Sequence, residues 1–536
     1  MSERSPLPRR EFLRRGAQLG SLAAGALAVS LVLDDCGTHA PVTTTPSTVS
    51  TTTTTTLVTP ASATDWTRLA ASLQGTLVQP SNPSYGVDRL LYNSKFVGLH
   101  PRAIAYCSSA DDVARCVAFC TAHDVPFAAR SGGHSYAGYS SSSGLVIDVS
   151  RLASITVDTS ANIADVGSGA QLIDVYNTIG SHDRLLPGGS CPTVGIAGLA
   201  LGGGHGVFSR RYGMTCDNIR SVTLVTADSR VVTADPTQDA DLLWACQGGG
   251  GGNFGVVTSF AFDVHPMPEV TLFTLQYPWD AAATMLHAWQ EWIGSAPDEL
   301  WSNCQLLSEG TSGYLAQVAG VYCGSPAEAA SALSPLRSAV ATAPTYSFNG
   351  SNDYLTAMEI EAGCSGLTIA ACHVAPESPH GALSRTAYSA KSSYVDGPMT
   401  PSQISSMVSA VERLHAEAPD LGGGLAFDSY GGVINRVPSD QTAFVHRDAL
   451  ACIQASYSWS TYSTAAQIDA GANWLTWLGT HVFNPATGAY QNYIDPTLGD
   501  WANAYYGSNL DRLVSTKTTY DPDNRFTFAQ SIPRTL

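Results

Sequence analysis

Charge is scarce in this chain of 536 residues, of which only 13% are Asp, Glu, Lys or Arg. Cationic side chains are scarcer still, 27 against 44 acidic ones, and the net charge of −17 excludes nucleic acid and anionic membrane as principal partners. No paired CxxC pattern is present, so no structural metal is expected. There is no internal repeat. Nor is there a strand–GxGxxG–helix unit with an acidic residue downstream, which removes a Rossmann site. What is there is 44% apolar residues, 49 glycines and 29 prolines, a globular composition rich in turns and long enough for two domains.

The first 36 residues read as a targeting segment. Arg9-Arg10, Phe12 and Leu13 precede an apolar run from Ala17 to Leu33, a pattern similar to a twin-arginine export signal and at the short edge of what spans a bilayer. Cys36 invites a lipid anchor, but Asp34-Asp35 depart from the small residues such a site uses. Residues 37–65 form a Thr/Ser/Pro-rich linker that includes Thr51 to Thr56, and folding is expected to begin near Asp65-Trp66. Of 12 cysteines, eleven follow Cys36; an odd number in an exported chain leaves at least one outside a disulfide. Cys116/Cys120 and Cys364/Cys372 are near enough in sequence to pair, and spacing does not settle the matter.

From Ala103 to Val264, short apolar runs alternate with helical spacing. Strands are expected at Val125–Ala129, Leu145–Val149, Ile155–Val157, Ala164–Val166 and Val256–Val264, with a hairpin around Asp228-Ser229. Helices are expected at Val113–Ala122 and Gln171–Ile179. After Pro266 the texture changes. Leu272–Tyr277 and Leu315–Tyr322 read as strands and Ala281–Ile293 as a helix. Another helix opens at Ser325-Pro326, and Pro335 is expected to interrupt it. The reading is an α+β fold with divisions at 66–267, 268–480 and 481–536, the last folding back on the first.

The stretch Cys191 to Gly213, CPTVGIAGLALGGGHGVFSRRYG, is too glycine-rich for a helix and too apolar for an exposed linker. Its glycines let backbone N–H groups approach a diphosphate or the polar edge of a ring. Upstream, Arg130-Ser131-Gly132-Gly133-His134-Ser135 ends a strand and presents an imidazole. Downstream come Gly248–Gly255 and Tyr490-Gln491-Asn492-Tyr493.

These four motifs, RSGGHSYAGYS, CPTVGIAGLALGGGHG, GGGGGNFGVV and YQNYID, occur in that order with domain-sized spacing. Together they resemble the vanillyl-alcohol-oxidase-type flavoproteins, and within them the berberine-bridge-enzyme-like oxidases, which include bacterial and fungal oligosaccharide oxidases. The resemblance implies a two-part FAD-binding domain plus a substrate-binding α+β domain, with FAD attached covalently through His134 and Cys191. It implies further flavin contacts from Arg130, Ser131, Gly132, Gly133, Ser135, Gly138, Gly189, Val194, Gly195, Gly198, Gly202, Gly203 and Gly206, and from Gly252, Asn253, Val257 and Asn492. It makes Tyr490 the catalytic phenol, with Gln454 and His205 at the flavin face. Imidazole and thiolate are nucleophiles able to add to an electrophilic flavin, and two tethers would hold the ring in an open pocket.

The function so implied is hydride removal from an alcohol, best the C1 hydroxyl of a sugar or oligosaccharide, with dioxygen as acceptor and hydrogen peroxide as product. The protein is expected to be exported and monomeric. Trp289 and Trp292 are candidates for sugar stacking. The alternatives are a tailoring oxidase of an aromatic or alkaloid natural product, and a non-catalytic secreted binding protein with a relic flavin.

Overall fold

In the computed structural model, residues 60–484 and 487–535 are described; the leader, most of the linker and Cys36 lie outside them. The described residues begin a few positions before Asp65. Ser62 caps the helix Ala63–Ser72 through a reciprocal bond with Asp65, and Trp66 and Leu69 carry that helix into the core.

Two sheets come from residues before Pro266. The first pairs Ala103–Tyr106, Leu145–Asp148 and Phe127–Arg130 in parallel, with Thr76–Val78 antiparallel on its edge. Parallel pairing requires a crossover, supplied by the helix Ala110–His123, which Ser109 caps and which ends at the left-handed Asp124. The second sheet is antiparallel, in the order Ile155–Asp158, Ile163–Gly167, Val256–Asp263, Ile219–Val225, Val231–Ala234.

A seven-stranded antiparallel sheet follows, ordered Tyr346–Asn352, Val270–Tyr277, Tyr314–Cys323, Leu300–Glu309, Gly422–Ser429, Ala451–Trp459, Ala387–Val395. Its two faces differ. Leu275, Cys304, Leu306, Leu425, Phe427, Ile453 and Ala455 share one core with helices Ala282–Gly294, Pro326–Val340, Pro401–Glu417 and Ala465–His481. Residues one step along each strand point the other way, toward the glycine loops. Trp289 and Trp292 belong to the helix-covered core, 1% and 7% exposed, so they are not sugar platforms; their indole N–H groups donate to Ser302 Oγ and the Ala332 carbonyl.

The chain then returns to the first half. Lys517, fully buried, donates to the Asn253 and Phe526 carbonyls at 2.8 and 2.6 Å and pairs with Asp521 at 2.6 Å. Ile532 N donates to Asn253 Oδ1. Lys391 pairs with Asp495 at 2.5 Å and joins the large sheet to this returning segment.

Two local expectations fail. Pro335 does not interrupt its helix, which runs unbroken over Pro326–Val340. One missing N–H is tolerated because Leu333, Leu336 and Val340 on either side are buried in the core. The stretch Cys191–Gly213 also contains helix, Ile196–Leu201 and Ser209–Tyr212. The first turns because its own residues are mostly Ile, Ala and Leu, with the glycine clusters at its ends.

Candidate active site

A cavity of about 610 Å³ lies between the glycine loops and the open face of the large sheet. Its first wall is mostly backbone. The strand Phe127–Arg130 delivers Arg130, whose Nε bonds buried Asp148 at 2.5 Å while its Nη1 has no partner. His134 follows, stacked against Tyr92 with ring centres 3.9 Å apart and with Nε2 2.8 Å from Thr193 Oγ1. Burial pushes its pKa down to about 3, so the imidazole is neutral and nucleophilic. Cys191 lines the same cavity, and burial pushes its thiol up to about 12.

Glycine is dictated where these loops interlock. A Cβ on Gly195 would sit 2.0 Å from Ser131 Oγ, and one on Gly206 would sit 1.7 Å from the Gly188 carbonyl. At Gly198 a Cβ would meet nothing within 4 Å, since that glycine faces the cavity itself.

The returning segment supplies the phenol. Tyr490 is 1% exposed, and its oxygen accepts from Gly204 N at 2.7 Å and Asn492 Nδ2 at 2.9 Å. Burial raises its pKa, while these two donors act in the opposite sense by favouring phenolate. The His205 ring is 4.8 Å from the Tyr490 ring, and its buried Nε2 has no partner. Burial lowers the His205 pKa, and nearby Asp428 opposes that.

The second wall is made of side chains from the sheet. One cross-strand row is Thr274, Ala319, Asn303, Asp428. The neighbouring row on the same face is Gln317, Gln305, Ala426, Gln454. Asn303 Nδ2 donates to Asp428 Oδ1 at 2.6 Å, and Asn303 Oδ1 is left without a partner. Gln454 Nε2 donates to Tyr136 Oη at 2.7 Å. Glu361, at the end of the helix Tyr354–Glu361, adds a second carboxyl, raised to about 7 first by burial and then by Asp428.

The cavity therefore gathers Arg130, Ser131, Gly132, Gly133, His134, Ser135, Gly189, Cys191, Val194, Gly195, Gly198, His205, Gly206, Gly252, Val257, Gln454, Tyr490 and Asn492. Gly138, Gly202, Gly203 and Asn253 do not line it. Gly138 backs onto the Phe96 ring, Gly202 onto the Asn492 amide and Gly203 onto the Tyr490 ring. The Asn253 amide clamps the Gly249 and Gly250 carbonyls and Ile532 N. Sequence reading missed Asp428, Asn303 and Glu361. Asp428 carried a signal: in Leu425-Ala426-Phe427-Asp428 the apolar pair fixes the core face and leaves the acid on the other.

These residues fit a dinucleotide with a planar ring. Gly198 and Gly252 leave flat room, and Arg130 Nη1 is a buried donor awaiting an acceptor.

Comparison with known proteins agrees. The family described as FAD binding domain matches residues 101–235, and the family described as berberine and berberine like matches 489–533. The chain is 31% identical over 466 residues to the uncharacterized FAD-linked oxidoreductase YgaK of Bacillus subtilis, covering 86% of this chain and 97% of that one. It is 30% identical to the chitooligosaccharide oxidase of Gibberella zeae, covering 84% and 90%. The solved structure of Physcomitrella patens BBE-like 1 superposes with a TM-score of 0.78 at 29% identity, covering 87% and 98%.

Proposed function

The chain belongs to the berberine-bridge-enzyme-like FAD-linked oxidoreductases, and from that premise we propose that it oxidises the anomeric hydroxyl of a sugar or oligosaccharide to a lactone, with dioxygen reduced to hydrogen peroxide. The observation that carries this reading is the second wall: Asn303, Gln305, Asp428, Gln454 and Glu361 set amides and carboxyls around one face, the chemistry that receives a polyhydroxylated ring. Similarity to a chitooligosaccharide oxidase supports it.

FAD, when bound, supplies the acceptor for a hydride from the substrate carbon. His134 and Cys191 are the two residues that would hold it covalently, and Arg130 and the glycine loops would hold its polar parts. Tyr490 Oη takes the hydroxyl proton once it is ionised; the Gly204 and Asn492 donors favour that phenolate against the burial that disfavours it. Asp428 accepts a substrate hydroxyl, oriented by the Asn303 amide. Neutral His205 keeps positive charge away from the carbon that loses the hydride. Export through the Arg9-Arg10 leader places this chemistry outside the cytoplasm, where polymers are met.

The test is a peroxide-release screen of the purified holoenzyme against reducing oligosaccharides and phenolic alcohols. Peroxide from the sugars is the expected result. Turnover of phenolic alcohols alone would sink the carbohydrate reading, and a fusion that stays cytoplasmic would sink export.

A further inference from the structure

Two acids line the cavity and no cation answers them. Among its described lining residues the acids are Glu361 and Asp428, and the one lysine or arginine is Arg130, already paired with Asp148. Burial keeps His134 neutral and acts on His205 in the same sense. The cofactor supplies no cation either, since the diphosphate of a dinucleotide is anionic. Carboxylates withdrawn from water ordinarily sit beside a cation or a set of donors. Asp428 has one donor, the Asn303 amide at 2.6 Å. Glu361 has none: burial and the Asp428 charge are what act on it, and both hold its proton on. The two carboxyls thus oppose each other's ionisation, and nothing in the wall relieves them.

Asn303 makes a separate observation. It is 8% exposed, its Nδ2 is spent on Asp428, and its Oδ1 has no partner. What this amide has left to offer is an acceptor. Trp301 stands two positions before it on the strand Leu300–Glu309, so an indole shares the same face of the sheet. Carboxylates, an unused carbonyl oxygen and an aromatic face are what an ammonium requires, because it carries three donors and no acceptor. A hydroxyl would take one of these acceptors and leave the two acids opposed. An acetamido group would bring a carbonyl oxygen of its own against them.

We propose that the sugar oxidised here carries a free, protonated amine, and that Glu361, the second oxygen of Asp428 and Asn303 Oδ1 receive that ammonium. The substrate class is an oligosaccharide of 2-amino sugars with unacylated nitrogen, a narrowing that rests on the sugar reading above. The ammonium is neutralised at the sheet wall, so it does not oppose loss of hydride from the neighbouring carbon. Glu361 is then a specificity residue for the amine, and Tyr490 remains the group that meets the hydroxyl proton.

The experiment compares three dimers on the purified holoenzyme: that of glucosamine, its di-N-acetyl form and cellobiose. Methyl glycosides of glucosamine and of glucose, which lack a free anomeric hydroxyl, report binding alone through the change in flavin absorbance. The expected kcat/KM for the glucosamine dimer is about tenfold or more above both neutral dimers, and the methyl glucosaminide should bind about tenfold more tightly than the methyl glucoside. Glu361→Gln should lower both ratios by about tenfold. Oxidation of the neutral dimers as fast as the glucosamine dimer would overturn the amine and leave sugar oxidation standing. Equal binding of the two methyl glycosides to the unmutated protein would overturn it without any variant. A preference unchanged in folded, flavin-loaded Glu361→Gln would overturn the assignment of Glu361. Oxidation of none of the three dimers would sink the sugar reading itself, and this narrowing with it.

Discussion

The two walls of the cavity are built on opposite principles. The glycine-loop wall gains its shape from what is missing: side chains are absent where loops interlock, and backbone lies where a ligand must come close. The sheet wall gains its shape from what projects, a run of amides and carboxyls set by strand register. A backbone wall is intolerant of additions and indifferent to which substrate arrives. A side-chain wall tolerates exchange and decides what fits. Cofactor retention should therefore fail through the first wall, and substrate choice should change through the second.

The harshest way to break this contrast is to add one methyl group to the backbone wall. Gly195→Ala places a Cβ where Ser131 Oγ already sits at 2.0 Å, and it should yield protein without bound flavin, read as loss of visible absorbance per polypeptide. Next in size is Tyr490→Phe, which removes the proposed proton acceptor and keeps the ring; kcat should fall by about 10²–10⁴ with flavin content unchanged. Asp428→Asn, on the sheet wall, should lower kcat/KM by about 10- to 100-fold and leave flavin untouched. His134→Ala and Cys191→Ala sharpen the comparison from the cofactor side. Each alone should keep flavin on the chain through acid precipitation, and the double variant should release it to the supernatant.

The smallest effect concerns Glu361. Its folded pKa is raised to about 7, so between the unfolded carboxyl range and that value the folded state holds a proton that the unfolded state has lost. Its contribution to stability is complete at low pH and declines as pH rises through that window. Glu361→Gln should flatten this part of the profile of Tm against pH. An unchanged slope would remove Glu361 as its source.

The walls also differed in how far they could be read beforehand. Gly195 and Gly206 announce themselves, because few sequences spend that many glycines without a backbone reason, and His134 and Cys191 are marked by their flanks. The helix Ile196–Leu201 was hidden by the same glycines, which dominate composition over a window longer than the helix. Asp428 and Asn303 were harder. They touch across strands 125 residues apart in sequence, and nothing local in either strand names its partner. Trp289 misled for the converse reason: a tryptophan on a helix looks alike from either side until the sheet decides which face is covered.

The wall residues span most of the described chain, from Pro126 to Ala529, and Lys517 ties the late part to the Asn253 loop made much earlier. During synthesis, a ribosome that has released the first half has made a cradle without its opposite side. Tyr490, Asn492 and the lysine clasp emerge only afterwards. The closed cavity is therefore a property of the completed chain, and a chain that ends before the clasp has only the glycine-loop wall.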